Sequence, residues 1–175
     1  MGNKNRRAPK AAATEVIPKE PSKITTHPAM TLTGDVLTIV IDYCGSESEE
    51  ERSESMASLQ KILPDYAPWV KIVQISVHAG ISPENSHSTY VTQIQDMKLI
   101  VHQVNKWKKV EQVRVRTLLE NYNFPQMKLA AAMYGLRKEL EWHFSYVVNG
   151  GEPVTVSARA NTMQKLLGVW KRDFQ

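Results

Sequence analysis

Hydrophobic side chains occupy nearly every second position in residues 31–43 and again in residues 136–148. They include Leu37, Ile39, Ile41 and Tyr43 in the first stretch, and Leu140, Trp142, Phe144, Tyr146 and Val148 in the second. A period of two positions is typical of a β-strand that buries one face. Both stretches are therefore predicted to be strands.

Three further stretches bear on the sheet. Residues 69–78 alternate in the same way and are predicted to form a strand. Residues 90–104 are also predicted as strand, although their alternation shifts phase near Asp96, which fits a bulge or two short strands. Residues 107–121 suit a helix or a strand equally well. After the second long strand, Asn149 and the glycines that follow predict a tight hairpin with a short partner strand.

The helical signals are shorter. The acidic residues 46–54 are predicted to form a solvated loop, followed by a short helix that Pro64 ends. A second helix begins near Pro125 and is predicted to end at Gly135 in a left-handed cap. A last helix, beginning at Asn161, has one apolar stripe.

The predicted order shows no regular alternation of strands and helices, which favours an α+β fold. We expect a mainly antiparallel sheet packed with about three helices in a single domain, residues 30–175. Residues 1–29 are small, charged and broken by prolines. Such a segment buries too little apolar surface to offset its ordering entropy, so it is predicted to be a disordered arm.

The charge is distributed unevenly along the chain. Residues 1–29 hold six basic and two acidic groups, which leaves sixteen of each sign in the remainder. The net charge of +4 therefore lies entirely in the predicted arm. A basic arm on a neutral domain indicates attraction to a polyanion, either nucleic acid or an anionic membrane surface.

Few residues suggest catalysis or metal binding. The scattered glycines form no phosphate-binding loop, and the histidines lack metal-ligand spacing. The single cysteine, Cys44, excludes an internal disulfide and at the end of a strand is predicted to be a small buried residue. Exposure of Cys44 beside His78 or His143 in a pocket would favour a nucleophilic role, and burial in the core would exclude it. No catalytic residue, metal or cofactor is predicted, and the chain is not expected to be an enzyme.

Two groups of basic residues are candidates for binding membranes or phosphates. The candidate residues are Lys4, Arg6, Arg7, Lys10, Lys106, Lys108, Lys109, Arg114 and Arg116. Flexible basic clusters bind phosphates by counterion release without reading sequence. Trp107, inside the second group, would add a stacking surface. The alternatives are a merely solubilising tail and an ordinary charged helix face.

In the order of its elements, the chain resembles the small matrix proteins of rhabdoviruses, most of all those of plant-infecting, cytorhabdovirus-like members. Similarity covers residues 35–63 and residues 127–156, where MKLAAAMYGL resembles an Ala-Leu-Met-Phe-Gly-Leu type of helix ending. The arm lacks the Pro-Pro-x-Tyr and Pro-Thr-Ala-Pro motifs, and its basic cluster is shorter than the lysine-rich arms of animal-virus relatives.

This resemblance implies a structural protein of the virion that self-associates and bridges the viral nucleocapsid and the inner membrane face. Its implied partners are further copies of itself, the nucleocapsid, an anionic membrane surface and RNA. Its implied location is the virion and the host cytoplasm, peripheral at membranes. The alternative hypothesis is a nucleic-acid-packaging protein, a coat or nucleocapsid-associated subunit whose basic patches hold RNA.

Overall fold

One six-stranded sheet organises the protein, and each strand lies beside its neighbours in the sequence. The computed structural model describes residues 23–45, 48–79 and 87–175, and for residues 87 and 88 it describes the backbone alone. The strands are β1 (Met30–Thr33), β2 (Val36–Asp42), β3 (Ile72–His78), β4 (Gln112–Leu119), β5 (Glu141–Val148) and β6 (Val154–Thr155). The helices are α1 (Glu49–Tyr66), α2 (His87–Lys106), α3 (Phe124–Met127), a 3₁₀ helix (Lys128–Gly135), α4 (Asn161–Val169) and a π-helical turn (Trp170–Phe174).

The predicted α+β class is confirmed, but the prediction of a mainly antiparallel sheet is wrong. Strands β2 to β5 run parallel, and only the short outer strands β1 and β6 pair in an antiparallel manner. Parallel neighbours need long crossover connections. Helical segments fill all three of these connections, so strands and helices do alternate through the middle of the chain.

The predicted strand at residues 90–104 is helix α2. Ile94, Met97, Ile100, Val101 and Val104 are all buried, at the spacing of one face of a helix. A helical period of 3.6 positions, compared with a strand period of two, produces the shift in phase near Asp96 and makes a bulge unnecessary. Residues 107–121, for which periodicity did not decide between helix and strand, contain strand β4.

Helix α1 begins earlier than predicted, inside the acidic stretch that was expected to be a loop. Ser48 and Glu51 form a capping box: the Glu51 amide donates to the Ser48 hydroxyl over 3.2 Å, and the Ser48 amide donates to the Glu51 carboxylate over 2.8 Å. The acidic first turn also suits the positive end of the helix dipole. Pro64 lies inside the last turn of the helix, which continues to Tyr66.

Three glycine-containing segments bear on the predicted strands and turns. The first long stretch is not one strand: Gly34, at φ +62°, turns the chain between β1 and β2. The predicted hairpin between β5 and β6 is confirmed, with Asn149 and Gly150 in the left-handed region. Gly135 does not have a positive φ, so the predicted left-handed cap is wrong. A β-carbon at this position would lie at ordinary van der Waals distance, 3.5 Å, from Val101 of α2.

The helices lie together on one face of the sheet. Strands added in one direction by right-handed crossovers place their helices on the same side. The contacts agree, since α1 packs on α2, α2 on the 3₁₀ helix, and the 3₁₀ helix on α4. Between this layer and the sheet lies the core, whose central row of strand residues is Ile39, Ile75, Val115 and Phe144.

The end of the predicted arm packs onto the domain. Ile24 and His27 are buried, and the His27 Nε2 atom lies 3.1 Å from the Ser55 carbonyl oxygen of α1. Tyr66 donates its hydroxyl proton to the Thr25 carbonyl over 3.4 Å. The folded part of the chain therefore includes residues 24–29, which composition alone assigned to the arm.

Candidate functional site

The sheet face opposite the helical layer is open along β2 to β5, as far as the described residues show, apart from Ser76 near its centre, which is buried. Two rows of side chains cross it in register. The first row is Thr38, Gln74, Arg114 and His143. The second row is Val40, Ser76, Arg116, Ser145 and Thr155. All but one of these nine side chains are polar, which is the reverse of the row of core residues on the other face. We call these nine residues the open face.

A shallow groove crosses the open face over β4 and β5. It is lined by Gln74, Gln112, Arg114, Arg116, His143, Phe144, Ser145, Pro153 and Thr155. The Arg114 Nε atom donates to the Gln112 side chain over 2.7 Å. The Arg116 Nε atom is buried and has no hydrogen-bond partner among the described residues. A buried donor without a partner is costly, so this guanidinium is suited to an added acceptor.

The second predicted basic cluster divides into two parts. Arg114 and Arg116 project from the open face. Lys106 ends α2, and Lys108 and Lys109 lie exposed in the turn before β4. The lysines therefore occupy the edge of the sheet and do not line the groove.

The predicted stacking role of Trp107 is wrong. Its side chain is only 3% exposed and belongs to the core, so no base can stack on it. Arg137 holds the turn around it, because its guanidinium donates to the carbonyl oxygens of Asn105 (2.9 Å), Trp107 (2.8 Å) and Val110 (3.3 Å). This arginine is a structural one.

The other predicted basic residues, Lys4, Arg6, Arg7 and Lys10, lie outside the described residues. No helix in the described part of the chain is both long enough and apolar enough to span a membrane.

A different group of side chains meets where β2 and β3 end. Asp42, Cys44 and His78 each place one potential ligand atom within 4.8 Å of the others. The Asp42 Oδ1 atom accepts the Cys44 amide proton over 2.8 Å and lies 3.0 Å from the His78 Nδ1 atom. Cys44 is exposed, so the prediction that it is a buried apolar residue is wrong.

The charges near Cys44 oppose its use as a nucleophile. Burial, and then the carboxylates of Asp42 and Glu120, raise the pKa of the Cys44 thiol, while the Arg52 guanidinium acts in the opposite direction. A catalytic cysteine needs a pKa lowered by positive neighbours. The group thus combines a cysteine, a histidine and a carboxylate without the electrostatics of a thiolate nucleophile.

On the helical side of the same sheet edge, a polar pocket lies between α1 and α2. Tyr43 donates its hydroxyl proton to the Asp96 carboxylate over 3.1 Å in the pocket wall. Burial raises the pKa of Asp96, while the hydrogen bond from Tyr43 and the charge of Arg52 lower it. Burial, followed by the Asp96 charge, raises the pKa of Tyr43. This pair accounts for the polar residue Asp96 on the buried side of α2, whereas the buried side-chain amide of Gln93 has no hydrogen-bond partner among the described residues.

Of these sites, only the pair Arg114 and Arg116 could be recognised from the sequence. Arg114 and Arg116 are two positions apart, and in a strand such residues share a face. Asp42 and His78 are distant in the sequence and meet because they are register partners in the parallel pair β2–β3. A fold predicted without that pair could not bring them together.

Comparisons with protein-family models, curated proteins and solved structures find no match to this chain.

Proposed function

We propose that this chain is a non-enzymatic structural protein whose open face binds the phosphate backbone of RNA within a nucleoprotein. The observation that carries the proposal is the pair Arg114 and Arg116, side by side on an uncovered sheet face. Residues two apart in a strand are about 7 Å apart, so the two guanidinium groups can contact neighbouring phosphates of one strand.

The neutral residues of the groove support RNA over a membrane. Gln74, Ser145 and Thr155 carry the amide and hydroxyl groups that contact phosphates and sugars in nucleic-acid complexes. A membrane-binding face would instead combine basic residues with aromatic or aliphatic side chains that enter the lipid. Among the nine open-face residues the one such side chain is Val40, which lies two strands away from Arg116. The flanking rows on the same side of the sheet add Val36, Ile72, Leu118 and Val147, none of which is exposed.

The resemblance to rhabdovirus matrix proteins extends the proposal to assembly. In that role the protein self-associates and links the nucleoprotein to an anionic membrane face. The basic residues of the N-terminal region, which hold the whole net charge, supply the membrane attachment. The open face and the N-terminal region then bind different partners.

A filter-binding titration with single-stranded RNA at several salt concentrations tests the open face. Replacing Arg114 and Arg116 together by glutamine removes two phosphate contacts, so the slope of log Kobs against log salt should become shallower by about 1.4. The matched control replaces Lys61 and Lys171, two exposed lysines of the helical layer, by glutamine. That control removes the same charge and should leave the slope unchanged.

Two results would contradict the proposal. In one, the paired open-face and control variants lose RNA affinity equally, which would indicate a general charge effect. In the other, the open-face variant loses sedimentation with anionic liposomes at low salt but retains RNA binding. Deletion of residues 1–22 tests the second half of the role, since it should abolish liposome binding while the open face still binds RNA.

A further inference from the structure

We infer that Asp42, Cys44 and His78 form a site for a borderline divalent cation, with Zn²⁺ as the fitting ion. The three side chains offer a carboxylate oxygen, a thiol sulfur and an imidazole nitrogen within 4.8 Å of one another. These are the three ligand types that Zn²⁺ combines in proteins, whereas Mg²⁺ and Ca²⁺ prefer oxygen ligands alone.

The separations are close to those of a tetrahedral site. With metal–ligand distances of about 2.0–2.3 Å, ligand atoms around Zn²⁺ lie roughly 3.5 Å apart. The Asp42 and His78 ligand atoms are already within 3.0 Å of each other, so small side-chain rotations suffice. Two of the ligands are exposed and the third is partly exposed, which leaves an entry path.

The parallel register keeps the ligands in place. Asp42 and His78 are paired residues at the ends of β2 and β3, and the Tyr43 amide donates to the His78 carbonyl over 2.8 Å. Cys44 is held at the same edge because its amide donates to Asp42. Two backbone-anchored strand ends therefore carry the three ligands, and a bound ion would tie those ends together.

One further carboxylate and one guanidinium lie near the three ligands. The Glu120 carboxylate directly follows β4 and lines the same surface depression as His78. Arg52 is the positive group that faces the cysteine. Three protein ligands leave one tetrahedral position, which a water molecule would fill.

Co²⁺ serves as the spectroscopic probe in a titration of the untagged, reduced full chain. We expect a thiolate-to-cobalt charge-transfer band that saturates at one ion per chain and is displaced by Zn²⁺. Cys44→Ser should abolish the band, and His78→Gln or Asp42→Asn should weaken Co²⁺ binding by at least ~10-fold. His102→Gln, which changes a histidine on α2 away from the site, is the matched control and should bind normally.

A second measurement needs no substitution at the cysteine. Because Cys44 is the only thiol in the chain, its reaction with a thiol reagent reports on this position alone. Zn²⁺ should slow that reaction in the wild-type protein and in His102→Gln, but not in His78→Gln. The inference is overturned if Co²⁺ gives no charge-transfer band, or if His78→Gln binds Co²⁺ as tightly as the wild-type protein and is equally protected by Zn²⁺.

Discussion

The two faces of the sheet are built from the same strands and differ in almost every property. On the helical side, Ile39, Ile75, Val115 and Phe144 form a row with at most 1% of each side chain exposed. The neighbouring positions along the same strands belong to the open face, where every side chain but Val40 is polar and two are arginines. Alternation along a strand thus separates stability from binding, since a substitution at one position affects packing and at the next affects the surface.

Phe144 and His143 are neighbours on β5 and give the sharpest test of this difference. Phe144→Ala removes a ring from the core and should lower the free energy of unfolding by about 3–5 kcal/mol. His143→Ala removes an exposed side chain that lies 3.1 Å from Glu141, and should change it by no more than about 0.5 kcal/mol. Urea denaturation measures both. Equal losses would mean that the open face is covered and packed in solution.

A smaller effect separates two kinds of arginine. Arg137→Ala removes charge-assisted hydrogen bonds to backbone carbonyls around Trp107 and should cost about 1.5–3 kcal/mol of stability. Arg137→Lys should recover only part of it, because an ammonium group cannot span those carbonyls. Arg114→Ala should leave stability within about 0.5 kcal/mol.

RNA binding provides the reverse comparison for the same arginines. Arg137→Ala should leave the salt dependence of RNA binding unchanged under conditions where the variant is folded, whereas Arg114→Ala should reduce it. A substantial loss of stability in Arg114→Ala, with RNA binding retained, would show that the open-face arginine is structural.

The sequence predicted which strand residues are buried better than it predicted the topology of the sheet. The alternation in β2 and β5 identified Ile39 and Phe144 as core residues, because a half-buried strand must alternate. Helix α2 was missed because Gln93 and Asp96 place polar groups on its buried side, and β-branched residues favour a strand interpretation. Without that helix, no crossover was available between β3 and β4, and a parallel sheet could not be predicted.

The candidate sites differ in predictability for a related reason. Arg114 and Arg116 were singled out because basic residues close in sequence are visible without a fold. The meeting of Asp42 with His78 depends on strand register, which is a long-range property. Burial of Trp107 is likewise decided by tertiary packing, since its charged neighbours in the sequence suggest a surface position.

The smallest effect concerns the one buried carboxylate beneath the end of β2. Because burial raises the pKa of Asp96, the folded state holds its proton more tightly than the unfolded state. The contribution of the protonated Asp96 to stability is therefore complete below the ordinary pKa of about 3.9 and is lost as the pH rises through the raised value.

The variant Asp96→Asn tests this pH dependence, because its side chain keeps an acceptor for the Tyr43 hydroxyl and does not ionise. Its stability relative to wild type should increase between acidic and neutral pH and then level off in urea titrations. Tyr43→Phe removes the hydrogen bond that lowers this pKa, so that variant should lose more stability than wild type over the same pH range. A difference between Asp96→Asn and wild type that is constant with pH would show that Asp96 is solvated when folded.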